Sequence, residues 1–118
     1  MNSNLLKTVE DLVQSNNHAD VETLVQSCTI SDEDLNNIGT IYYNQNKNEH
    51  AEKYFLQSIE LNKDYHTAIH NLAELYYNSG RIHDASQYYE KYIRLNPNDT
   101  NTINQLALVY TEIGKIQK

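Results

Sequence analysis

His66 and His70 stand four residues apart, a spacing that puts two imidazoles on one face of a helix and makes half of a zinc site. The other half is not at hand. Thr67 occupies the place where a metalloprotease helix carries its glutamate, and further ligands would have to come from Glu74 or the distant His83. Solvent-exposed histidines are the simpler reading. Cys28 is the single cysteine, so it forms no internal disulfide, and no histidine is evidently placed to activate it as a nucleophile. Its spacing after Leu24 and Val25 reads as a small apolar helix residue. Serine, histidine and aspartate all occur, but without the strained, glycine-rich turn that presents a serine nucleophile. The chain is therefore expected to be no enzyme and to need no metal or cofactor.

A second pattern is chemically better matched to a ligand. Asn37, Asn71 and Gln105 recur at intervals of 34 residues. A carboxamide offers two donors and an acceptor, which suits the N–H and C=O groups of an extended peptide. Each belongs to a polar stripe at helical spacing. The first stripe is Glu33, Asn37, Thr40 and Asn44, flanked by Asn36 and Tyr43; the second is Thr67, Asn71, Glu74 and Asn78, flanked by His70 and Tyr77. The third is Asn101, Gln105, Leu108 and Glu112, flanked by Asn104 and Thr111. Exposed polar helix residues need no function, and Tyr43 and Tyr77 serve a core as readily as a ligand.

The interval reflects an internal repeat. Aligning residues 32–65 with 66–99 gives nine identical pairs, among them Tyr42/Tyr76, Ala51/Ala85, Tyr54/Tyr88 and Leu61/Leu95. Chance would give roughly two, from ordinary residue frequencies. Leu35, Ile38, Tyr42 and Ile69, Leu72, Tyr76 follow the spacing of one helical face. Small Ala51 and Ala85 let a second helix approach, with Phe55 and Tyr89 filling the space beside them. Gly39 reads as a close-packing residue, Gly80 and Gly114 as equivalent turns, and Pro97 as a helix stop.

These residues resemble the tetratricopeptide repeat, whose pattern of a large residue, leucine, glycine and tyrosine, then alanine and phenylalanine, then proline, runs here as Leu35, Ile38, Gly39, Tyr42, Ala51, Phe55 and as Ile69, Leu72, Ala73, Tyr76, Ala85, Tyr89, Pro97. Ala73 and Ala107 replace glycine, and Lys63 stands where the proline would. The resemblance covers residues 32–118 and implies an all-α, right-handed superhelical stack of antiparallel helix hairpins, with about seven helices in all. Residues 32–65 are the first repeat, 66–99 the second, and 100–118 the first helix of a third. Residues 1–31 lie outside the register and read as a divergent hairpin that caps the stack, with its turn at Asn16 and Asn17.

The third copy lacks a covering helix within the sequence, since its alanine would fall one residue past Lys118. Ile103, Leu106, Tyr110 and Ile113 are then left without cover. Three explanations stay open: a longer protein, a second copy covering this face in a homodimer, or a natural cap.

Nine Lys and Arg against sixteen Asp and Glu give a net charge of −7, and the cations are scattered, which disfavours nucleic acid and anionic membranes. Neither a secretory leader nor a membrane-spanning run is evident, and cytoplasmic residence is expected. Chaperone-binding members of the family share a Lys, Arg and Asn clamp for a terminal carboxylate. The stripes here hold no Lys or Arg. The expected partner is another protein, held by an extended neutral or basic peptide on the concave side, in the manner of the asparagine ladder in the repeat domain of O-linked N-acetylglucosamine transferase. The alternatives are a self-association element, or a regulatory or substrate-presenting segment of a larger enzyme such as a glycosyltransferase.

Overall fold

A computed structural model describes residues 3–27 and 29–116; the reading of Cys28 as a helix residue falls outside them. Seven α-helices and no strand are found among the described residues: α1 (Ser3–Gln14), α2 (His18–Ser27), α3 (Asp32–Asn44), α4 (Asn48–Leu61), α5 (His66–Asn78), α6 (Ile82–Leu95) and α7 (Thr100–Ile116). They form two compact units, α1–α4 up to Lys63 and α5–α7 from Asp64.

In the first unit α1 pairs with α2, α3 with α4, and α1 also packs on α3. The repeat's apolar spacing makes its core: Leu35, Ile38 and Tyr42 of α3 are buried with Ala51, Tyr54 and Phe55 of α4, and Val9, Val13 and Val21 complete it. Burying each side chain of leucine or phenylalanine size stabilises by roughly 1.5–3 kcal/mol. Gly39 packs closely against α4. A Cβ there would lie 2.6 Å from Cδ1 of Phe55. Ser31 starts α3 with a capping box, its Oγ accepting from the Asp34 N–H at 3.1 Å. The far end of α4 is tied back to that start, because Ser58 Oγ donates to the Asp32 carbonyl and Asn62 Nδ2 to Asp32 Oδ2, both at 2.7 Å.

In the second unit α5 pairs with α6 and α6 with α7. Ile69, Leu72, Ala73 and Tyr76 are buried with Ala85 and Tyr89, while α7 buries Thr102 and Val109. Pro97 follows the end of α6, as expected from its fixed φ and missing N–H.

One turn recurs in all three hairpins. The second residue past the first helix is left-handed: Asn16 at φ 60°, Asn46 at 61° and Gly80 at 82°. The next N–H reaches back to the helix, from Asn17 to the Leu12 carbonyl, Lys47 to Tyr42 and Arg81 to Tyr76, at 2.8, 3.0 and 2.8 Å. Gly114 departs from expectation. It lies inside α7, which continues to Ile116, and it has no positive φ. Asparagine tolerates the left-handed region, so Asn46 fills in the first repeat the place that glycine fills in the second.

Candidate peptide-binding trough

The polar stripe of α5 and the start of α7 meet in the second unit. His70, Glu74, Asn78, Asn101 and Gln105 line a depression of about 350 Å³ whose inner wall includes Tyr89 and Thr102. A neighbouring depression of about 430 Å³ shares His70, Asn101 and Thr102 and adds His66, Thr67, Asn71, Tyr92 and Asp99. Together they make a trough along α5 from His66 to Asn78. At 1.5 Å per residue it is about 18 Å long, the reach of about five extended residues.

Its side chains are held in place. The Tyr92 hydroxyl donates to Asp99 Oδ2 at 2.6 Å, and the Thr102 N–H donates to Oδ1 at 3.2 Å. These bonds keep the Asp99 carboxyl below the usual carboxylate range, and the same Tyr92–Asp99 bond pushes the phenol up. His66 and His70 set their rings edge-on to Tyr92, with centroids 6.0 and 5.0 Å away, and His70 also meets Tyr89 at 5.9 Å. The pair is thus engaged with aromatic rings. No group of three or more His, Cys, Asp and Glu that could hold a metal ion occurs among the described residues.

Six of the candidate residues come together in this trough: His70, Asn71, Glu74, Asn78, Asn101 and Gln105. Half-buried Tyr77 and exposed Asn104 do not line it. In the first unit Glu33 and Asn44 are exposed and Asn37, Thr40 and Tyr43 are half-buried, whereas Asn36 is 4% exposed and withdrawn from solvent. The Thr40 hydroxyl donates to the Asn36 carbonyl at 3.0 Å. Asn44 lines a smaller depression of about 180 Å³ with Glu10, Gln14, Ile41 and Gln45. Tyr92, Asp99 and Thr102 belong to no polar stripe, and only the capping preference of aspartate before a helix could have pointed to Asp99.

On α7, Ile103 and Tyr110 are 41% and 49% exposed, and Leu106 and Ile113 are half-buried. The Tyr110 hydroxyl donates to Glu90 of α6. No helix among the described residues is long and apolar enough to cross a membrane.

Helix hairpins recurring at this period, with Gly39 set against the Phe55 ring in one of them, define a helical-repeat protein. The chain belongs to the tetratricopeptide repeat family: two models of that repeat match residues 35–65 and 66–99, a continuous run of more than half the chain. Two crystal structures of MamA superpose with TM-score 0.77 at 25% identity over 94% of this chain. The chain spans just under two thirds of those proteins, 66% and 61%. The first such domain of Spaghetti (RPAP3), bound to the HSP90 peptide SRMEEVD, matches with TM-score 0.72 at 17% identity, over 93% of this chain and 94% of that one. The Yersinia enterocolitica chaperone SycD, in complex with a peptide of the translocator YopD, matches with TM-score 0.60 at 14% identity, over 98% and 95%. No curated protein sequence matches significantly.

Proposed function

We propose that this chain is a non-catalytic interaction scaffold that holds an extended, neutral or basic peptide segment of a partner protein in the α5–α7 trough. The observation that carries this reading is the trough's lining: four carboxamides and two carboxylates over tyrosine rings, with no Lys or Arg. The carboxamides match a peptide backbone, and Glu74 and Asp99 set the charge preference. The peptides seen on RPAP3 are acidic, SRMEEVD among them. At 4 Å, like charges repel by about 1 kcal/mol in water and about 4 kcal/mol at an effective dielectric constant of 20. An acidic peptide would meet that penalty here, so the ligand chemistry of RPAP3 is not carried over. SycD supports the general role, because the same fold there also holds a peptide.

Selection from a random peptide display library tests this without knowing the partner. Enrichment of neutral or Lys/Arg-containing segments is expected. Their affinity should fall about tenfold or more in an Asn71→Ala, Gln105→Ala double variant, with each lost hydrogen bond worth roughly 0.5–1.5 kcal/mol. Enrichment of acidic C-terminal sequences, or unchanged binding by the double variant, would overturn the proposal.

A second reading, self-association through α7, is favoured by the exposure of Ile103 and Tyr110. Sedimentation equilibrium at rising concentration decides it. A dimer abolished by Ile103→Glu supports that role, and a monomer throughout removes it.

A further inference from the structure

A column of rings in the first unit takes no part in the trough. His18, on the first residue of α2, stacks on His50 of α4 with centroids 4.1 Å apart and planes 29° apart. His50 stacks in turn on Tyr42 of α3 at 4.9 Å, and Tyr42 on Tyr54 of α4 at 5.5 Å. Tyr42 is fully buried, and its hydroxyl lies 3.1 Å from Nδ1 of His18. The repeat does not require this arrangement. Thirty-four residues after His50 stands Asp84, and there Tyr76 pairs with Tyr88 and carries the Arg81 guanidinium on its face.

We propose that the His18–His50 stack is an acid-sensitive latch that docks α2 on the α3–α4 hairpin and releases it when the His18 ring takes up a proton. Two facing imidazoles pack well as neutral rings and repel as cations. The groups around His18 sharpen the effect. They are His50 on α4 and Lys47 at the α3–α4 turn, with the Tyr42 phenol of α3 at 3.1 Å; further along, Lys53 of α4 lies over the Tyr54 ring and pairs with Glu22 of α2 at 3.4 Å. No α1 group acts on the His18 ring among the described residues. Burial first, then His50 and Lys47, lower the His18 pKa below its ordinary value. The docked state thus binds fewer protons than the released one. Docking is complete above the ordinary histidine pKa of about 6.5 and weakens as pH falls below it.

Hydrogen exchange of the whole chain at pH 7.5 and 5.5, corrected for intrinsic exchange, measures the release. With His18 held below its ordinary pKa while docked, the opening constant of α2 amides should rise over that interval, by at most about tenfold for one imidazole. His18→Phe keeps a stacking ring without a titrating group and should abolish the rise. Should that variant fail to fold, His18→Leu, which also removes the titrating ring, serves the same purpose. A rise of the same size in the folded variant, or none in the parent chain, overturns the proposal.

Discussion

Gly39→Ala is the substitution whose effect follows most directly from the geometry. The added methyl would lie 2.6, 2.7 and 3.2 Å from Cδ1, Cε1 and Cγ of Phe55. Carbon atoms pack best at about 3.5–4.0 Å, so the two nearest contacts are short by roughly 1 Å. Phe55 is fully buried, and its ring has no solvent to swing into. Overpacking of this kind costs about 1–3 kcal/mol. The helix itself prefers alanine to glycine by about 1 kcal/mol, which offsets part of that cost. A net loss of about 0–2 kcal/mol remains, read as a fall in melting temperature of up to roughly 8 °C by circular dichroism. A double-mutant cycle isolates the cause. In a Phe55→Leu background the same substitution should become neutral or stabilising, since the ring it strikes is gone. Ala73, at the equivalent place in α5, is already fully buried with its methyl. A raised melting temperature for Gly39→Ala in the parent would show that α3 and α4 close no more tightly than α5 and α6, and the packing argument would fail.

Two further outcomes are expected. Gly80→Ala should destabilise by about 1 kcal/mol, because its φ of +82° is left-handed, whereas Gly114→Ala, which meets nothing within 4 Å inside α7, should stabilise by up to about 1 kcal/mol; thermal melts should give opposite signs. Ser58→Ala should cost about 1–2 kcal/mol in urea unfolding, because it removes the 2.7 Å hydrogen bond from the buried Ser58 hydroxyl to the Asp32 carbonyl, between α4 and the start of α3.

The hairpins were legible because their determinants are local and periodic. The spacing of Leu35, Ile38 and Tyr42, and the small residues at 39 and 51, needed only helical geometry to be read. Gly114 was misread for a physical reason: a glycine is permitted in a left-handed turn but does not create one, and α7 carries straight through it. Asn36 and Asn37 show the limit for the site. They are adjacent and chemically alike, yet one is buried and the other half-buried, which depends on what packs against α3. The floor of the trough was hidden likewise. Tyr92 and Thr102 come from different helices and acquire a common role only through Asp99. The ring column joins His18 to residues 24 and 32 positions away, with no repeat to announce it.

The shared turn has a consequence for how such chains can change length. From Asn16 to Asn46 the turn recurs after 30 residues, and from Asn46 to Gly80 after 34. The difference lies in the second helix of the pair, since α2 has 10 residues and α4 has 14, while α3 and α5 both have 13. Four residues rotate a helix by about 400°, so their loss leaves the next segment only about 40° out of phase. Losing two would rotate it by about 200° and turn its apolar side to water. Length variation in this lineage should therefore come in whole turns trimmed from second helices, and an engineered deletion of four residues from the tail of α6 should be tolerated far better than one of two.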